Sequence, residues 1–232
     1  ISGIPRDEIF ITSKLANSMH GYDNTMSSFE QTLRELGTDH LDLFLIHWPN
    51  PIKYRDTWQK TNAETWKAFE ELYEAGKIRA IGVCNFFPER LTDLCLHAKI
   101  TPMVNQVELH PFFQQGCAIK NMKELGVQPQ AWGPFAEGQF GIFTHPTLTA
   151  IGEKYGKTAA QVALRWNVDR GVVVIPKSVK KERMAQNIDI WDFKLSDDDM
   201  AEIAKMDMGH SELIDHYKPS TVKMINGLRI HD

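Results

Sequence analysis

Cysteine is scarce. Cys84, Cys95 and Cys117 are the only three in 232 residues, widely spaced and without a C-x-x-C pair. Such a set builds neither a disulfide framework nor a thiolate zinc site. The nine histidines are scattered, and none stands at H-x-x-x-H spacing with a carboxylate, so metal chemistry has no ligand set to start from. Long hydrophobic runs are missing as well; nothing approaches the roughly 20 apolar residues of a membrane helix. Neither sign of charge dominates: 26 Lys+Arg face 30 Asp+Glu for a formal net charge of −4, which disfavours a nucleic-acid partner. The opening Ile1-Ser-Gly-Ile-Pro-Arg-Asp-Glu8 lacks the basic-then-apolar layout of a signal peptide. The expectation is a soluble, cytoplasmic protein that binds neither nucleic acid nor membrane. With 42% hydrophobic and 24% charged residues, the chain has ordinary globular composition.

What is present is an alternation of two periodicities. Glu8–Lys14, Leu41–Trp48, Ile78–Asn85, Met103–Leu109, a stretch within Val127–Phe135, and Val172–Pro176 are short β-rich apolar runs. Between them, Met26, Phe29, Leu33 and Leu36 recur at helical steps, as do Trp66, Phe69 and Tyr73. Gly37 and Gly126 stop helices. Pro88 opens another, and Pro146–Tyr155 and Thr158–Asp169 flank Gly156. Lys180–Asn187 reads as helical. Ser196 opens a last helix with a capping box to Asp199 and a Leu195–Met200 staple. Val172–Pro176 reads as a strand buried on both faces.

Six strand-then-helix units without a linker predict a parallel sheet covered by helices. No G-x-G-x-x-G follows the first strand, which disfavours the open dinucleotide-binding sheet and favours a (β/α)8 TIM barrel. Six units fall two short of that barrel, so residues 1–232 read as one barrel domain incomplete at its N-terminus.

Barrel chemistry sits at the C-terminal ends of the strands. There the sequence delivers Lys14, His47, Asn85, Gln106 or Glu108, Trp132 and Lys177-Ser178. Singly, each has a plain reading: a surface lysine, a core histidine, loop-capping amides, a packed tryptophan, a helix cap. Jointly they place polar groups on one rim, and buried polar groups are costly without a purpose.

Phe10-Ile-Thr-Ser-Lys14, Leu45-Ile-His-Trp-Pro49, Ile81-Gly-Val-Cys-Asn-Phe86, Asn105-Gln-Val-Glu-Leu-His-Pro111 and Ile175-Pro-Lys-Ser178 resemble, in order, the motifs of the aldo-keto reductases. The branch most resembled is that of the bacterial diketogluconate reductases, and the match runs from Ile4 through the tail Asn226–Asp232. The resemblance implies an NADPH-dependent reductase of aldehydes and ketones, usually monomeric, with a small-molecule carbonyl substrate. It implies Lys14 and His47 as catalytic residues. Cys84, Asn85 and Gln106 would hold the nicotinamide carboxamide, and Trp132 would stack on the ring. Lys177, Ser178, Val179 and Arg183 would grip the adenosine 2′-phosphate, Gln186 and Asn187 would face the adenine, and Trp48 would wall the substrate pocket. Cys84 stands where serine is usual, and Gln186 where glutamate is common. Lys177 and Arg183 flank a helix start, where an anion is already favoured.

The family's proton-donating tyrosine and its aspartate partner lie upstream of the lysine, in a stretch on the order of 60 residues. Tyr22 follows Lys14 and matches no donor. The expectation is therefore impaired reduction by these 232 residues alone. The alternatives are a non-catalytic NADPH-binding or regulatory protein of the same fold, and a Schiff-base lyase using Lys14 or Lys177.

Overall fold

The computed structural model describes residues 3–215 and 218–227. Strands and helices alternate: β1 (Thr12–Leu15), α1 (Tyr22–Leu36), β2 (Leu43–Ile46), α2 (Trp58–Glu74), β3 (Ile81–Cys84), α3 (Pro88–His97), β4 (Val104–Glu108), α4 (Gly116–Glu124) and β5 (Gln128–Trp132). Then come α5 (Pro146–Tyr155), α6 (Ala159–Asp169), β6 (Val173–Val174), α7 (Lys181–Ile188), α8 (Asp197–Ala204) and α9 (Pro219–Gly227). The strands form a six-stranded sheet in sequence order, β1 and β6 being its edges. These are six of the units that a (β/α)8 sheet is built from.

The chain divides into two compact units, one made of residues 3–106 and 121–127, the other of residues 107–120 and 128–227. In the first, β1–β2, β2–β3 and β3–β4 pair in parallel, with Lys14 opposite Leu45, Ile46 opposite Val83, and Cys84 opposite Gln106. Its core is aromatic: Phe44 stacks on Phe69 at 4.7 Å and meets Phe29 edge-on at 5.4 Å. Phe29 and Leu33 of α1 and Trp66, Phe69 and Leu72 of α2 are the buried stripes of these helices, which is why the sequence spaced them so. Leu36, expected on that face, is half-exposed in the last turn of α1. Gly37 ends α1 at φ 64°, its N–H closing on the Arg34 carbonyl.

Gly82 of β3 is needed for closeness. A Cβ there would lie 2.4 Å from the Val104 carbonyl oxygen and 2.8 Å from Leu45 Cδ2. Gly82→Ala is expected to force β3 and β4 apart at a cost of about 2–3 kcal/mol, read as a lower urea midpoint with unchanged slope.

In the second unit, β5 and β6 pair in parallel, and the Leu109 N–H beyond β4 donates to the Trp132 carbonyl of β5 at 3.2 Å. Leu148, Ile151, Val162, Ala163, Trp166, Leu195 and Ile203 form its core, with Met200 packed against it. The expected capping box of Ser196 with Asp199 forms on α8, and the structure adds a second, Thr158 with Gln161, on α6.

Three expectations are corrected. The run Val172–Pro176 is not buried on both faces: β6 has two residues, and Val173 and Ile175 are each 44% exposed, because among the described residues the strand is an edge with a single neighbour. The Ser196 helix is not the last, since α9 follows. The first strand starts at Thr12 rather than Glu8, because Arg6–Glu8 takes a 3₁₀ turn after Pro5. Within the expected tail, Leu228–Asp232 lie outside the described residues, as do Ile1 and Ser2 of the opening segment. Among the described residues no helix is long and apolar enough to cross a membrane, and no three His, Cys, Asp or Glu side chains gather as metal ligands.

Candidate active site

In the first unit the strand ends deliver five of the expected residues to one place. Lys14 is the third residue of β1, His47 follows β2 directly, Cys84 ends β3, Asn85 follows it, and Gln106 lies within β4. In-register parallel pairing brings them level, since Leu15 sits opposite Ile46 and Ile46 opposite Val83. Lys14, His47 and Trp48 are half-buried, and the His47 and Trp48 rings are 6.1 Å apart.

Behind them runs a hydrogen-bond chain. Asn85 Nδ2 donates to the His47 carbonyl at 3.1 Å and to Cys84 Sγ at 3.3 Å. The Cys84 thiol donates to Gln106 Oε1 at 3.8 Å. Burial pushes the Cys84 thiol up to about 12, against the opposing pull of the nearby Lys14 charge, so the sulfur keeps its proton. Asn85 holds a left-handed backbone, φ 61°, a strain that asparagine tolerates better than most residues. Asn105 supports the turn by donating to the Phe86 carbonyl at 2.7 Å.

His20 and Asn62 were not singled out in the sequence. Asn62 Nδ2 holds the Pro49 carbonyl at 2.6 Å, fixing the loop that carries His47 and Trp48. His20 is 1% exposed and stacks on Tyr54 at 5.8 Å. Burial lowers it to about 4, with His47 acting in the same direction and Asn62 opposing, so it is neutral near pH 7. Neither residue belongs to a recurring local pattern, and only the fold brings them near His47. The Tyr22 hydroxyl is engaged by Glu71 at 2.5 Å, and that of Tyr54 donates to the Ser18 carbonyl at 2.7 Å.

The second unit holds a cavity of about 250 Å³ lined by Lys177, Ser178, Arg183, Gln186 and Asn187 together with Phe135, Phe143, Thr158 and Ala160. Five residues of the expected cofactor segment thus line one concavity. Val179 is outside it and 80% exposed. Ser178 Oγ accepts the Lys180 N–H at 3.1 Å in the turn before α7, but Lys180 is the N-cap and no side chain caps this helix, so the cap reading of Ser178 is corrected. Trp132 ends β5 half-buried. Glu108 is committed elsewhere: Ser211 Oγ lies 2.7 Å from Oε2, and His110 Nε2 lies 3.0 Å from Oε1, where it donates because its Nδ1 accepts the Phe113 N–H.

A cationic concavity and a rim of lysine, histidine and amides fit a nucleotide cofactor and a polar reactant. The sequence profile of the Aldo/keto reductase family matches residues 2–208. The glyoxal reductase of Bacillus subtilis (strain 168) is 48% identical over 202 residues, covering 87% of this chain and 70% of that protein. An aldo-keto reductase from a Medee basin deep-sea metagenome library superposes with a TM-score of 0.84 at 41% identity, covering 90% of this chain and 75% of that one. A Bombyx mori aldo-keto reductase solved in complex with NADP gives 0.81 at 35% identity, over 90% of this chain and 71% of that one. The chain belongs to the aldo/keto reductase family.

Proposed function

We propose that this chain serves the reduction of small aldehyde and ketone carbonyls with NADPH. The observation that carries the reading is the first unit's cluster, in which Lys14, His47 and the Asn85–Cys84–Gln106 chain converge at the ends of parallel strands. NADPH, when bound, supplies the hydride. As negative charge develops on the carbonyl oxygen, the Lys14 ammonium and a His47 ring N–H are the donors that stabilise it. Trp48, tilted against His47, walls the reactant side. The Asn85 network holds the carboxamide end, and Trp132 offers a face for the nicotinamide ring. In the second unit Lys177, Ser178 and Arg183 hold the 2′-phosphate, and Gln186 and Asn187 border the adenine. The exposed Val179 offers at most backbone contact.

A second reading, a non-catalytic NADPH-binding protein of the same fold, is favoured by one observation: the Tyr22 and Tyr54 hydroxyls are committed to Glu71 and Ser18 rather than to Lys14. Positioned proton donation contributes about 10²–10⁴ in rate. The expected result for the 232-residue polypeptide is NADPH binding, seen by cofactor fluorescence, with glyoxal reduction slower than that of the Bacillus relative by about that factor. Relative-like turnover sets the second reading aside. No NADPH binding removes both.

A further inference from the structure

In the first unit, α2 and α3 leave a groove between them, a cavity of about 540 Å³. That volume is in the range of small-molecule sites. Trp66, Phe86 and Leu94, all buried, give it an apolar lining. Asn62, which holds the Pro49 carbonyl, also lines it, and Phe86 directly follows Asn85, so the groove abuts the loops of the candidate site. Lys14, His47, Cys84, Asn85 and Gln106 do not line it, so it is a separate cavity.

One side chain on its wall is set apart. The Arg90 guanidinium lies over the Trp58 ring, 3.9 Å from its centroid, and both residues line the groove. Stacking on an indole face favours a cation and leaves the guanidinium N–H donors around its edge, where a carboxylate can take two of them. Among the described residues no carboxylate or carbonyl meets those donors, although Asp93 stands three residues on along α3. Glu70, the other carboxylate on the wall, is committed to the Lys99 and Ile100 N–H groups at 2.7 and 2.8 Å. Lys60 and Lys67 add positive charge. Their ion pairs with Glu64 and Glu71, at 3.7 and 3.9 Å, are exposed contacts that cost little to give up.

We propose that this groove binds a small aromatic carboxylate, with its rings on the apolar lining and its carboxylate on Arg90, whose guanidinium Trp58 holds in place. An apolar lining beside a preset guanidinium suits an anion carried on a flat apolar body. Such binding does not require the NADPH reading.

Titration calorimetry of the 232-residue polypeptide with 2-naphthoate and with its neutral isostere 2-naphthamide tests this. Wild type is expected to saturate with the acid by about 1 mM and to bind the amide about tenfold more weakly, the scale of a charged hydrogen bond partly screened by solvent. Arg90→Met keeps the apolar stem and removes the donors, and is expected to bring the two ligands within about twofold of each other. Ala63→Phe fills an exposed position on the α2 wall and is expected to weaken both ligands by about tenfold, which keeps the test decisive should Arg90→Met fail to fold. A preference for the acid that survives Arg90→Met places the acid elsewhere and overturns the proposal. Affinities unchanged by Ala63→Phe overturn it too, as does a wild type that binds neither ligand at about 1 mM. A concentration-dependent dimer that Arg90→Met abolishes assigns the groove to a second copy of the chain and likewise overturns it.

Discussion

Replacing Lys177 and Arg183 together by alanine is expected to raise the Kd for NADPH about a hundredfold and to leave that for NADH within about twofold. Both side chains line the 250 Å³ cavity of the second unit, and Arg183 sits in the first turn of α7. There the unsatisfied N–H groups of the helix already favour an anion. Hydrogen bonds between charged partners are worth about 1.5–3 kcal/mol, but these two cations are exposed and screened, so about tenfold for each is the appropriate scale. NADH carries no 2′-phosphate and should not register their loss. The same logic sets a salt dependence: the NADPH preference of wild type should narrow as ionic strength rises, and that of the double variant should not change. Equal losses for the two cofactors would place these cations away from the phosphate.

Of the residues behind this expectation, Lys177 stands beside a local signal in the sequence, whereas Arg183 is implied by the family resemblance and supported by its place near a helix start. Lys177-Ser178 follows an apolar run and precedes a helix, and Arg183 falls within that helix. Local signals also mark much of the fold. The helix stops at Gly37 and Gly156 are left-handed C-caps, and the Ser196–Asp199 box closes as its spacing implied. These features depend on residues within a few positions of each other, and their physics is local.

What the sequence could not yield depends on pairing across long separations. An apolar run such as Val172–Pro176 reads alike in the middle and at the edge of a sheet, and only the sheet order makes it an exposed edge. The enclosure of Cys84 follows from what β4 lays against it. Glu108 was a rim candidate beside Gln106, and it took a serine 103 positions away to show that its carboxylate is already occupied. Tyr22 was set aside on position alone, and its bond to Glu71, 49 residues on, supplies the physical reason.

Asp42 is the strongest case of such a hidden residue. Asp42→Asn is expected to destabilise the fold by about 3 kcal/mol at pH 7, read by urea unfolding. The carboxylate is 1% exposed and meets Arg6 Nη1 at 2.9 Å, Arg79 Nη1 at 2.9 Å and the Ile11 N–H at 2.8 Å. Arg6 in turn holds Thr38 Oγ1 and the carbonyls of Ile9 and His40, so one carboxylate fastens the segment before β1 to that before β2. Breaking a buried pair costs about 3–5 kcal/mol, and the lower figure applies because the Arg79 side chain is 66% exposed and can return to water. Burial works against ionisation of Asp42, but the Ile11 N–H and the two guanidiniums outweigh it and hold the carboxyl below its ordinary range. Stability from such a group is complete above the unfolded carboxylate pKa and disappears as pH falls through the folded value. Asp199 adds a second contribution of the same sign: burial opposes, yet Lys154, Tyr155 and Ser196 hold it at about 2. Wild type should therefore lose stability progressively below about pH 4. Asp42→Asn should start lower and fall less steeply over that range, keeping the slope due to Asp199. A variant whose acid dependence parallels that of wild type would mean that Asp42 is not ionised in the fold, against the two arginines that face it.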